Sequence, residues 1–142
     1  MKLTDFARQL PQEVCELFEP LLPPVVWCGN GRPPASNYDC LHALFYVLVS
    51  GIAWRMLPKG FPSYKTVQRR LKGWLQRDAF RTAWQQLAHR YEALQGINWD
   101  QILLFFAQFG RVFRRFDRSA RRYLAWIEMA ACVILLRSGF VS

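Results

Sequence analysis

The sequence predicts an all-α protein, a small helix-turn-helix-like domain followed by a C-terminal helical hairpin. Three observations carry this expectation. Apolar residues recur every three or four positions over successive stretches, the period of a helix with one buried face. Residues that cap helices stand just before those stretches. Prolines and glycines fall at their ends and between them. Only 97–104, with its Ile, Trp and Leu content, has the composition of a strand.

The elements follow in order. Pro11, in Leu10-Pro11-Gln12-Glu13, suits the first turn of a short helix, where its fixed φ is already helical and its missing N–H has no partner to lose. Val14, Leu17 and Phe18 share a face, and Pro20 is the expected stop. Pro23-Pro24 and Gly29-Asn30-Gly31-Arg32-Pro33-Pro34 read as an extended polar linker. Ser36 or Asn37 caps a second helix with the stripe Leu41, Leu44, Phe45, Leu48 and Ile52, and Gly51 terminates it. A turn over 54–62 leads to Ser63, the cap of a third helix with Val67, Leu71 and Trp74 facing inward. Asp78 caps a fourth helix with the stripe Phe80, Ala83, Trp84, Leu87, Tyr91 and Leu94, and Trp84 and Leu48 are expected in the core. Gln95-Gly96 stops that helix and divides the chain into 1–95 and 96–142. Beyond it, Phe105, Phe109, Val112, Phe113 and Phe116 resume helical spacing. Ser119 caps a last helix carrying Tyr123, Leu124, Ile127, Ala131, Ile134 and Leu135 on its face, with Gly139 past its end.

The chain has 142 residues and a net charge of +9, with 52% apolar and 15% aromatic residues. That is enough for one core and too apolar for a disordered chain. The charge is uneven. Residues 1–30 carry two basic and four acidic groups, residues 31–95 ten and three, and residues 96–142 seven and three. A basic middle third favours polyanionic partners, nucleic acid first and an anionic membrane surface second, and within the first class double-stranded DNA is the expected one.

The third helix and its approach are the best functional signal. A helix, a turn and a capped basic helix match the helix-turn-helix plan. Lys65, Arg69, Lys72 and Gln76 line up opposite the core stripe, so the helix can pack inward and present cations outward. Such side chains reach phosphates, and an arginine can fork onto guanine. The expected DNA-binding residues are Arg32, Arg55, Lys59, Lys65, Arg69, Arg70, Lys72 and Arg77. Arg32 lies in Gly31-Arg32-Pro33, an extended arm of a kind suited to a narrow minor groove.

Other chemistry has little support. Cys15, Cys28, Cys40 and Cys132 include no C-x-x-C pair, and the expected compartment is a reducing cytoplasm. Cys40 and His42 are two apart, on different sides of a helix, so no metal site is expected. No phosphate-binding glycine loop or nucleophile motif is present, and no cofactor is expected. The apolar runs 41–54 and 123–136 are short of the ~20 residues a membrane span needs. The tryptophans share faces with Leu and Val, so packing accounts for them better than base stacking.

Several strings resemble insertion-sequence transposases of the DDE type. They are Leu17-Phe18-Glu19-Pro20-Leu21-Leu22-Pro23-Pro24 with Gly31-Arg32-Pro33, and Leu44-Phe45-Tyr46-Val47-Leu48 with Ser50-Gly51-Ile52-Ala53-Trp54-Arg55-Met56-Leu57-Pro58. Phe61-Pro62-Ser63-Tyr64-Lys65-Thr66-Val67 with Arg69-Arg70 and Trp74 completes the pattern over roughly 10–95. The resemblance implies a helical domain that recognises the element's terminal inverted repeats. Ile97-Asn98-Trp99-Asp100-Gln101 resembles the start of the family's catalytic domain, but the Asp-Gly that carries its first carboxylate does not follow. Phe105-Phe106-Ala107, Phe113-Arg114-Arg115-Phe116-Asp117 and Ala120-Arg121-Arg122-Tyr123-Leu124-Ala125 resemble its far end, where Leu103-Leu104 replaces the Glu-Arg of the third carboxylate. No catalytic residue carries over, although the parent family would use Mg²⁺. The resemblance therefore implies a truncated, catalytically inactive protein that binds transposon-end DNA, with 96–142 a remnant of the catalytic domain's ends. Lacking that domain to pack on, the apolar helix of 123–136 is expected to self-associate. Two alternatives remain at this point. One is an active transposase whose core a second chain supplies. The other is a membrane-surface or protein-interaction module built on the apolar tail and Arg111, Arg114, Arg115, Arg118, Arg121 and Arg122.

Overall fold

A computed structural model describes residues 6, 8–94 and 120–137. Among these the chain is all-α, as predicted, with helices α1 (Gln12–Phe18), α2 (Asn37–Ser50), α3 (Tyr64–Gln76), α4 (Ala79–Leu94) and α5 (Ala120–Arg137). Short 3₁₀ turns cover Glu19–Leu21 and Trp54–Met56. The strand expected over 97–104, the first arm of the hairpin, the 95/96 division and the Ser119 cap lie outside the described residues.

Local sequence sets the boundaries. Pro11 is the N-cap of α1, and Pro20 does not end that helix outright. The α-helix closes at Phe18, and Pro20 sits in the opening of the 3₁₀ turn that follows, where its missing N–H costs nothing. Ser36, not Asn37, caps α2, its side chain accepting from the Asp39 N–H at 3.0 Å. Gly51 ends α2 in the left-handed region at φ 70. Ser63 accepts from the Thr66 N–H at 3.3 Å and starts α3. Asp78, with φ 53, turns the chain between α3 and α4, and its carbonyl accepts the Thr82 N–H at 2.9 Å.

The core is a chain of rings joining four elements. Phe6 stacks on Phe45 of α2, Phe45 meets Phe18 of α1 edge-on at 5.6 Å, and Phe18 meets Phe80 of α4 at 5.7 Å. Phe80 in turn meets Trp74 of α3 at 6.4 Å. Each ring is almost fully buried, and burial of such a side chain is worth about 1.5–3 kcal/mol. The inward residues expected on α3, Val67, Leu71 and Trp74, are all buried, as is Leu48. Trp84 is only partly buried, packed on the core's margin. Phe80, Ala83 and Leu87 already fill the inward line of α4, and Ala79 adds to it.

Helix α5 has neighbours within the chain, and among the described residues much of its apolar face is covered. It packs chiefly on α4 and also on α1, α2 and α3, and Trp126 lies 5.8 Å from Trp54. The buried line is Trp126, Met129, Ala130 and Val133 at i, i+3, i+4 and i+7, flanked by Ala125, Ala131, Cys132 and Ile134. Leu124, expected on the buried face, is instead exposed. The wide apolar arc of this helix left its orientation undetermined by periodicity, and the side it buries is the one that carries Trp126.

Candidate nucleic-acid interface

The third helix reaches the surface at a defined angle because the preceding turn is anchored. Phe61 sits between His42 and Tyr46 of α2, ring centroids 4.8 and 5.1 Å away. Ser63 follows immediately, so α3 starts from a fixed point.

Around its axis α3 has three zones, separated by about 100° per residue. Val67, Leu71 and Trp74 face the core. Lys65, Arg69, Lys72 and Gln76 are exposed on the far side, as the sequence predicts. Between these lies a flank, Thr66-Arg70-Gly73-Arg77, which sequence reasoning did not isolate. The segment Pro23–Ala35 folds back toward this flank. Together they enclose a groove of about 790 Å³, with the turn Gly60–Ser63 also lining it.

The groove gathers four of the eight expected residues, Arg32, Arg69, Arg70 and Arg77, and one carboxylate, Asp39. Arg32, Arg69 and Arg77 are exposed. Arg70 is partly buried and engaged within the chain, donating to Asn37 Oδ1 and to the Ala35 carbonyl, each at 2.8 Å. The other four, Arg55, Lys59, Lys65 and Lys72, are exposed but do not line the groove.

Two features of the groove carry no charge. Gly73 is partly buried on α3, and a Cβ built there would meet nothing within 4 Å. Glycine in mid-helix costs roughly 0.5–1 kcal/mol against alanine. Packing inside the chain does not require it here, and the space above it belongs to the groove. Trp74 also lines the groove, and its buried indole N–H finds no acceptor among the described residues.

Elsewhere the described residues hold no cluster of three His, Cys, Asp or Glu side chains that could bind a metal ion. His42 Nε2 is bonded to the Phe6 carbonyl at 2.8 Å, and Cys40 is buried on α2 with its thiol pushed up by desolvation. Asp100 and Asp117 lie outside the described residues. Glu128, on α5, pairs with Arg81 at 3.8 Å. No described helix is long and apolar enough to cross a membrane.

The family model described as "Putative transposase of IS4/5 family" matches residues 10–84, more than half of the chain. The chain belongs to this family of insertion-sequence transposases. It is 40% identical over 70 residues to the insertion element IS402 uncharacterized 16.2 kDa protein of Burkholderia cepacia, a match covering 46% of this chain and 48% of that protein. The chain thus spans about half the length of the curated relative it matches. No solved structure matches it. The family match contains α1, α2 and α3, the segment Pro23–Ala35 and the opening of α4, and hence both walls of the groove. Helix α5 lies beyond it.

Proposed function

We propose that this transposase-family chain binds duplex DNA at the terminal inverted repeats of an insertion sequence, using α2, the turn and α3 as a helix-turn-helix-like reader. The observation that carries this is the gathering of Arg32, Arg69, Arg70 and Arg77 around one groove with a single carboxylate in its lining. Like charges gather there without a matching number of acids, an arrangement that an anionic ligand relieves. The exposed stripe Lys65, Arg69 and Lys72 extends the cationic surface beyond the groove. The binding is read as unaccompanied by strand cleavage, since the family's Asp-Gly and Glu-Arg carboxylate contexts are missing from the sequence.

A fluorescence-anisotropy titration of a dye-labelled duplex at several salt concentrations tests the reading. Affinity falls steeply with salt, because each neutralised phosphate releases counterion. Arg69→Gln and Arg77→Gln, both at exposed positions, each lower the salt slope by about one without changing the melting temperature. A flat salt response in the parent protein would sink the proposal. Nicking of a supercoiled plasmid with Mg²⁺ or Mn²⁺, tracking the protein through purification, would overturn the non-cleaving part alone.

A further inference from the structure

The segment between α1 and α2 leaves the body of the protein and returns to it, and its two ends are tied by two side chains that bond each other. Asn37 Nδ2 donates to the Pro23 carbonyl at 2.7 Å. Arg70 then donates through one nitrogen to Asn37 Oδ1 and through the other to the Ala35 carbonyl, each at 2.8 Å. One amide and one guanidinium therefore close the base of a loop, 24–34, in the manner of an Ω-loop.

The tip has an unusual surface. Val25, Val26 and Trp27 are consecutive and exposed, by 40%, 84% and 50%. The loop contains no acidic residue, and Arg32 is its one charge. The Trp27 indole N–H donates to the Asn30 carbonyl at 3.3 Å, which satisfies the ring's polar atom within the loop and leaves its faces for an external partner. Gly29 and Gly31, at φ 89 and 72, turn the chain back with open space around them.

We propose that loop 24–34 is a preassembled probe for the minor groove of duplex DNA, its base closed by Asn37 and Arg70 and its tip, Val26 and Trp27, entering the groove ahead of Arg32. This rests on the duplex-binding reading above. DNA is the occupant favoured by charge: the returning limb of the loop, Arg32–Ala35, is a wall of the groove where the arginines gather, so a duplex held there lies against the loop that carries Val26 and Trp27. Apolar side chains wedge into minor-groove base steps and bend the duplex, and an arginine beside them reads the groove's width. A closed base also means that the loop is ordered before binding, so little conformational freedom remains to be lost on contact. Arg70, on this account, is a positioning residue for the loop and not a phosphate ligand.

The chain holds its own reporter. Cys28 is exposed beside Trp27, whereas Cys40 and Cys132 are buried and Cys15 is partly buried with its thiol pushed up by desolvation. The 142-residue chain is mixed with a short A·T-rich duplex carrying a dye at each end, and Cys28 alkylation and energy transfer between the dyes are followed. Bound duplex slows alkylation several-fold, a minor-groove-binding drug restores it, and energy transfer rises as the duplex bends. Trp27→Ala binds without the bend. Arg70→Gln binds more weakly with an unchanged salt slope, whereas loss of a phosphate contact would lower that slope by about one. Duplex that binds while Cys28 reacts at its free rate overturns the loop proposal and leaves the duplex reading standing. So does Trp27→Ala bending DNA like the parent, or Cys28 protection by a second copy of the chain without DNA. Absence of any duplex binding at low salt overturns the duplex reading itself, and the loop proposal with it.

Discussion

Helix α3 fully buries a single line of residues, Val67, Leu71 and Trp74, with Leu75 packed at the core's margin, and exposes Lys65, Arg69, Lys72 and Gln76. In α5, every residue from Ala125 to Ile134 except Ile127 and Glu128 is buried. Both helices carry arginines and aromatics, so composition alone does not separate them. What separates them is the width of the apolar arc. A narrow arc holds a helix against the core and leaves its far side for a ligand. A wide arc commits the helix to packing, and α5 contributes to the same core as the family-matched region although it lies outside the match.

The largest effect that would break this contrast comes from Trp126. Replacing it by alanine removes a buried indole against Trp54 and costs about 3–5 kcal/mol, enough to unfold a marginal domain. Urea denaturation followed by circular dichroism measures this, and a parent-like midpoint would show that α5 is not part of the core. A smaller change, with opposite consequences for stability and binding, comes from Gly73→Ala. The helix gains up to about 1 kcal/mol in propensity, and the new methyl enters open space, so the melting temperature rises. DNA affinity falls if the groove floor is in use. Unchanged affinity in the more stable variant would place the ligand on the exposed stripe of α3 alone.

The smallest effect sharpens the comparison from the α5 side. Burial pushes the Glu128 carboxyl up, Asp78 adds to this, and Arg81 at 3.8 Å opposes it. Folded protein therefore holds that proton more tightly than unfolded protein does. Stability is greatest with Glu128 protonated and declines as pH rises from the ordinary carboxylate value through the raised one, then levels off. Arg81 is mostly exposed, so its pairing contributes at most about 1 kcal/mol. Glu128→Gln flattens this part of the stability profile and slightly raises the melting temperature at neutral pH. Equal pH slopes in the two proteins would mean that the carboxyl is hydrated.

Those tests also mark where sequence reasoning reached its limit. Periodicity and caps located α1 to α4, the Ser63 cap and the Gly51 stop, and narrowed the α2 cap to Ser36 or Asn37, because these depend on residues a few positions apart. The outward stripe of α3 was legible for the same reason. Two features were not. The return of Pro23–Ala35 onto α3 depends on hydrogen bonds across 33 and 35 positions, from Arg70 to Asn37 and Ala35. Asn37 looked like a cap candidate, and its role in closing a loop had no local signature. The orientation of α5 was also illegible, since several faces of that helix are apolar enough to bury. A glycine inside a strongly helical, otherwise bulky segment was the available clue to the groove, and it stands at Gly73.

The shared core has a consequence for the energetics of the whole molecule. Loop 24–34 hangs from α2 and α3, these pack on the rings of α1 and α4, and α4 carries α5. A chain joined in this way tends to unfold as one cooperative unit. A ligand that occupies only the folded form at a hundred times its dissociation constant then adds about 2.7 kcal/mol to the unfolding free energy of every part of that unit. Residues of α5 that never touch the ligand would share in that protection, and occupancy near Arg32 would be felt as slower opening around Trp126, at the opposite end of the chain.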